Sequence, residues 1–265
     1  MSDALQKFLH LVLSLGIMMA PSLTHAQSQL LSEQRVRTDK GWELRIHNNA
    51  EVSLDAFQIA FRCPGLQDPT VPSYEMHEDT LVSFGNHSTL GIPAGGDRSI
   101  PLHNQLYTCQ GGVVGGIFED GTTVDSPIGF AGLTFLYGMR QGEYAGLTLA
   151  KRIFDQVAAG EVTPEQAALD LDIEKQKLPK GQIADISKSL GESSALSFAA
   201  LLFRKQVGFI TPSDSTPERQ PKIEDLMEKR HIPREKAHAQ IVGEKFRQWM
   251  NALKDNLGEP ATPSK

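Results

Sequence analysis

The stretch Gly41-Trp42-Glu43-Leu44-Arg45-Ile46-His47-Asn48 alternates along its whole length. Trp42, Leu44 and Ile46 fall on one face and Glu43, Arg45 and His47 on the other, the period of two that a half-buried strand requires. Asn48-Asn49 closes it with a turn signal. The next run, Leu54 to Cys63, repeats the pattern and places Phe57, Ile59, Phe61 and Cys63 together. Shorter candidate strands follow at Thr80–Phe84 and Arg98–His103. Val113–Glu119 then leads into Asp120-Gly121, a dipeptide suited to a tight hairpin because glycine tolerates positive φ. Short strands punctuated by Pro, Gly and Asn predict an antiparallel β-sandwich of about a hundred residues, immunoglobulin-like in kind, over 30–128.

Beyond Ser126-Pro127 the pattern turns helical. Phe130, Leu133, Tyr137, Tyr144, Leu147, Ile153, Phe154 and Val157 recur near helical spacing, while Gly138, Gly142 and Gly146 weaken the middle of that run. Thr163-Pro164-Glu165-Gln166 reads as a helix start, with a hydroxyl cap, proline in the first turn and Gln166 closing a capping box. A third helix is expected over about Ser194 to Val207. A fourth follows Pro233, where Val242, Phe246, Trp249, Met250, Leu253 and Leu257 form one apolar stripe. Such a stripe serves core packing, or else a partner protein or self-association through Val242, Phe246, Trp249 and Leu253. Thr211 to Pro221 reads as a polar connection and 259–265 as a flexible tail. The fold class expected is therefore α+β: the sandwich first, then an α-helical region over 129–258.

Met1 to Ala26 reads as an export signal peptide. Lys7 precedes an apolar stretch from Phe8 to Ala20, Pro21 breaks it, and Thr24-His25-Ala26 offers a cleavage site before Gln27. About a dozen apolar residues fall short of ~30 Å of hydrocarbon, so no membrane span is expected there, and no later stretch reaches spanning length either. The mature chain is expected in a periplasm or outside the cell.

The 265 residues carry a net charge of −6, which argues against a nucleic-acid partner; 27–127 hold 6 Lys/Arg against 13 Asp/Glu, 128–265 hold 19 against 18. Both cysteines lie in the acidic part. In an oxidising compartment, Cys63 and Cys109 of one small sandwich are expected to form a disulfide.

Signatures of chemistry are sparse. The sequence contains no Walker loop, no Gly-x-Gly-x-x-Gly before a helix, no Gly-x-Ser-x-Gly elbow and no His-Glu-x-x-His. Gly111 to Gly116 is glycine-rich in a strand context, where it reads as close backbone packing or a bulge. His77-Glu78-Asp79, in a loop-like segment, offers imidazole and carboxylate groups that a divalent metal could use. Glu119-Asp120 reads as turn-forming and solvated rather than as a catalytic pair. No catalytic residue and no cofactor are assigned.

The segment Trp42 to Asn49, with Ala56-Phe57 and Phe118-Glu119-Asp120-Gly121-Thr122, resembles exported bacterial proteins that carry an immunoglobulin-like or fibronectin-like sandwich and a charged helical region. The resemblance implies a fold and a compartment and carries over no site residue. The expected function is a non-enzymatic interaction or envelope-associated module. Its alternative is a secreted hydrolase whose active site is assembled from residues distant in sequence. A carbohydrate-binding module would call for several exposed coplanar aromatics, and the chain has only two Trp and four Tyr.

Overall fold

A computed structural model describes residues 30–64, 74–82, 91–102, 106–125, 131–179, 183–205 and 231–258. The expected export signal, the connection 211–221 and the tail 259–265 lie outside the described residues. Seven strands come first: β1 (Leu31–Thr38), β2 (Gly41–Asn48), β3 (Leu54–Arg62), β4 (Tyr74–Asp79), β5 (Asp97–Leu102), β6 (Gln110–Phe118) and β7 (Thr123–Asp125). Four helices follow among the described residues: α1 (Gly132–Ala159), α2 (Pro164–Gln176), α3 (Ile183–Lys205) and α4 (Arg234–Lys254). The chain is thus α+β, strands N-terminal and helices C-terminal.

All strand pairs are antiparallel, in a three-stranded sheet of order β1-β2-β5 and a four-stranded sheet of order β4-β3-β6-β7. Leu44 and Ile46 of β2, Phe57, Ile59 and Phe61 of β3, and Ile100 and Leu102 of β5 meet in one apolar core. The alternation read from 41–48 and 54–63 therefore places the expected faces inward. Buried Asn48 ends β2 by donating from its amide to the carbonyls of Val52 (2.8 Å) and Ile92 (2.9 Å), satisfying backbone groups where the chain turns. At the β6–β7 turn, Gly121 has φ 83° and the Phe118 amide donates to the Thr122 carbonyl at 2.8 Å, as the Asp-Gly dipeptide foretells.

Two strands were not legible as strands. β1 was not anticipated, and His77-Glu78-Asp79 lies on β4 rather than in a loop. Both carry charge toward the core, which removes the apolar alternation. Glu33 of β1 accepts from the Val113 amide of β6 at 3.0 Å, and Arg35 donates to the carbonyls of Tyr107 (2.7 Å) and Gly111 (3.0 Å). Across the other open side, Arg98 of β5 grips Glu78 of β4 with bonds of 2.9 and 2.8 Å. Charged groups turned inward along sheet edges are a known way of keeping an edge from pairing with another chain. Of the two shorter candidates, Arg98–His103 is β5 to Leu102, whereas Thr80–Val82 is a turn; Ser83, Phe84 and His103 lie outside the described residues.

The helical region rests on the outer face of the four-stranded sheet. Leu136 of α1 packs on Ala56 and Ile117. A Cβ on Gly115 of β6 would sit 2.6 Å from the Gly132 carbonyl carbon, so two bare backbones touch where α1 begins. β3 is consequently buried on both faces. Along most of its length, from Phe135 to Val157, α1 contributes to a second core with α2, α3 and α4, in which Phe154 stacks on Phe203 and meets Phe246 edge-on. Gly138, Gly142 and Gly146 do not interrupt α1, whatever they cost in propensity. They form the seam against α3, where a Cβ on Gly142 would stand 1.8 Å from the Lys188 carbonyl oxygen. α3 starts at Ile183, eleven positions before the expected Ser194. That first half carries four serines and one glycine, poor helix formers, of which Ser187 and Gly191 lie in the seam where side chains must be small. Thr163 caps α2 as expected, its hydroxyl accepting from the Gln166 amide at 3.2 Å.

Candidate functional site

The most unusual chemistry of the chain sits where sheet and helices meet. Leu136, Arg140, Glu143 and Leu147 follow one another at helical spacing along α1, so two charged residues share a stripe with buried leucines. Arg140 is one of the largest fully buried side chains. Its Nε donates to Asp79 Oδ2 at 2.7 Å and its Nη2 to Asp79 Oδ1 at 3.1 Å, while Nη1 donates to the Asn256 carbonyl at 3.3 Å. Asp79, the last residue of β4, also accepts from the Leu81 amide at 2.9 Å. The Leu81 carbonyl in turn accepts from the Trp249 indole of α4 at 2.6 Å. One turn after β4 is thereby fastened to α1 and α4, and Val82 completes it by joining the helical core.

Glu143 lies one helical turn beyond Arg140, wholly buried, and neither of its carboxyl oxygens has a hydrogen-bond partner. Burial, reinforced by the negative charge of Asp79, pushes its pKa well above the ordinary carboxylate range. Strongly shifted carboxyls often mark active sites, but those sit in clefts that a substrate can enter. Glu143 has no exposed surface, so a substrate has no direct access to it. Burial also raises the Asp55 pKa, with help from Glu119, and lowers that of His77.

The predicted metal-binding residues separate. Glu78 is held by Arg98 and Asp79 by Arg140, while the His77 ring packs against Phe135 at a centroid distance of 5.2 Å. No group of three or more His, Cys, Asp or Glu residues able to hold a metal occurs among the described residues. Cys63 and Cys109 do come together, with sulfurs 1.99 Å apart. They follow β3 and precede β6 next to the paired Arg62 and Gln110, so the bridge ties neighbours within one sheet. The apolar stripe of α4 is turned inward: Val242, Phe246, Trp249 and Leu253 are all buried in the helical core, leaving none of the four on the surface. Leu257 lies past the end of α4.

The open surface feature is on α2 and α3. Leu169 and Ile173 on α2, and Ile186, Leu190 and Leu201 on α3, are 40–54% exposed. A groove of about 400 Å³, lined by Pro164, Glu165, Ala168, Leu169, Phe203 and Arg204, lies between these helices. Arg204 is paired with Asp172, so its charge is already matched. The groove brings together apolar walls with Glu165 and Arg204, without the converging nucleophile, base and oxyanion donors that hydrolysis needs. Sequence reading missed both features. Arg140 and Glu143 could have been found from charged residues falling on the Leu136–Leu147 face, whereas Leu169 and Leu190 carry no signal that separates surface from core.

No protein-family model matches the chain, and no curated protein or solved structure matches it. No described helix is long and apolar enough to cross a membrane.

Proposed function

We propose that the chain is an exported, non-enzymatic interaction or envelope-associated module, in which an immunoglobulin/fibronectin-like sandwich is the scaffold and the helices meet a protein partner. The observation that carries this reading is exposed Leu169 on the wall of an open groove between α2 and α3, two helices that also leave Ile173, Ile186, Leu190 and Leu201 exposed. An apolar wall open to solvent is a candidate contact surface for another protein. Export is supported by the Met1–Ala26 signal pattern and by the Cys63–Cys109 pair, since disulfides persist in oxidising compartments. The strand order supports the sandwich type. Lettered A, B, C, C′, E, F and G in chain order, the sheets are ABE and GFCC′, a near relative of the antibody arrangement with its fourth strand moved between sheets. The disulfide differs from that of antibody domains, which joins the two sheets.

The test is affinity capture from envelope extract with the chain from Gln27 onward, run beside Leu169→Glu and Leu201→Glu variants with unchanged circular dichroism. A protein enriched reproducibly by the wild type and lost with either variant is expected. Equal capture by all three, or no capture together with hydrolysis in a broad substrate screen, refutes the reading.

A further inference from the structure

One face of α2 carries a stripe that is complementary to itself. Glu165, Leu169, Ile173 and Lys177 stand four positions apart, the spacing that lines side chains into a ridge along a helix, and all four are exposed. The ridge is acidic where the helix begins, apolar in the middle and basic where it ends, a span of about 18 Å. Turned end for end, it meets its own image: Leu169 falls opposite Ile173 of a second copy, and Glu165 opposite Lys177. We propose that α2 is a self-association surface, on which a second copy of this chain docks antiparallel to form a two-fold dimer. This rests on the reading of the α2–α3 surface as an interaction site and names its occupant.

Charge selects that occupant. Exposed Leu and Ile side chains alone would accept any apolar partner, but opposite charges at the two ends of the ridge fix direction and register. A parallel pairing would set Glu165 against Glu165 and Lys177 against Lys177. The exposed pair on α3 lacks the pattern: Ile186 and Leu190 repeat the apolar spacing, but the next position, Ser194, is uncharged. Ridges of this kind interlock along their length when two helices cross at about 50°, which keeps both charged ends in contact. Lys177 holds Glu174 at 2.8 Å, an exposed pair of small worth, and its ammonium has further protons for a second carboxylate. Ile173 of the second copy, opposite Leu169, meets the mouth of the groove that Leu169 shares with Phe203. Both copies use the same surface, so the contact closes at two. One helix from each side makes a small interface, and a weak, reversible dimer is expected.

Sedimentation equilibrium of the chain from Gln27 onward, from about 1 to about 300 μM, covers such an affinity. The wild type is expected to pass from monomer to dimer and no further. Over the same range the methyl resonances of Leu169 and Ile173 should move while those of Ile186 and Leu190 stay in place. Glu165→Lys sets lysine against lysine at both ends, and Lys177→Glu sets glutamate against glutamate, so each variant alone should weaken the dimer about tenfold or more. Mixed in equal amounts, the two should associate with each other, because every end then meets the opposite charge. A wild type that stays monomeric or grows past the dimer, methyl shifts confined to other residues, or folded single variants that ignore each other on mixing overturn the proposal. An envelope protein captured through Leu169 by a monomeric chain would overturn the second copy as occupant and leave the interaction reading standing; a chain that neither dimerises nor captures a protein removes both.

Discussion

Replacing Gly142 by alanine sets helix propensity against the geometry of the α1–α3 seam. Propensity alone favours alanine by about 1 kcal/mol. The structure opposes it, because the new Cβ would lie 1.8 Å from the Lys188 carbonyl oxygen, 2.7 Å from its carbon and 2.9 Å from the Glu192 nitrogen. All three are backbone atoms that no rotamer change can move. Restoring a contact of about 3.5 Å requires the helices to part by about 1.7 Å. Parting also loosens the neighbouring contacts of Gly138 with Ser187 and Gly191 with Met139. Overpacking a core costs about 1–3 kcal/mol, and a methyl this deep inside backbone contact belongs at the upper end. Net of propensity, Gly142→Ala should lose about 2 kcal/mol, or about 4–8 °C in Tm for a chain of this size. Urea unfolding followed by far-ultraviolet circular dichroism measures it. Thr148→Ala, at an exposed position of the same helix, should change stability by less than about 0.5 kcal/mol. A Gly142→Ala midpoint at or above wild type would refute the seam.

Arg140→Met leaves the Asp79 carboxylate buried without its cation and should lose about 3–5 kcal/mol in chemical denaturation; adding Asp79→Leu should recover most of that loss, because no lone charge remains. Glu143→Gln should become increasingly more stable than wild type as pH rises. The folded state holds the Glu143 proton more tightly than the unfolded chain, so wild-type stability falls with pH from the ordinary carboxylate range up to the raised value and the two proteins converge in acid; parallel denaturation series across pH measure the gap, and a constant offset would count against it. Reducing Cys63–Cys109, separated by 46 positions, should lower stability by about 4 kcal/mol. Titration of denatured, unreduced protein should find no thiol, and two would refute the bridge.

What could be read from the sequence follows from how water contrast shapes a pattern. β2 and β3 alternate because one face meets the core, and α4 shows its stripe because Val242, Phe246, Trp249 and Leu253 meet α1 and the other helices. β1 and β4 escaped because Glu33, Arg35 and Glu78 stand where apolar residues would complete the alternation and are held there by hydrogen bonds and an ion pair. The first half of α3 escaped for the opposite reason. Ser187 and Ala195 are small where α1 presents Gly138 and Gly146, Gly191 is bare against the α1 backbone at Met139, and no hydrophobicity scale scores that fit. At the junction, Asp79 was noticed for its ligand chemistry while its partner Arg140 was not. Residues 61 positions apart are joined only by the packing of α1 on the sheet.

The cover that α1 lays over the four-stranded sheet has a consequence for recognition. In a free-standing sandwich such a broad face is open to outside molecules. Here Leu136 already rests on Ala56 and Ile117, and the helix that carries it is tied to β7 by only a few residues. The chain acts as its own ligand at that face, and a short tether keeps the local concentration of the competitor in the millimolar range. An outside molecule would have to outcompete a segment that never diffuses away before it could reach the sheet.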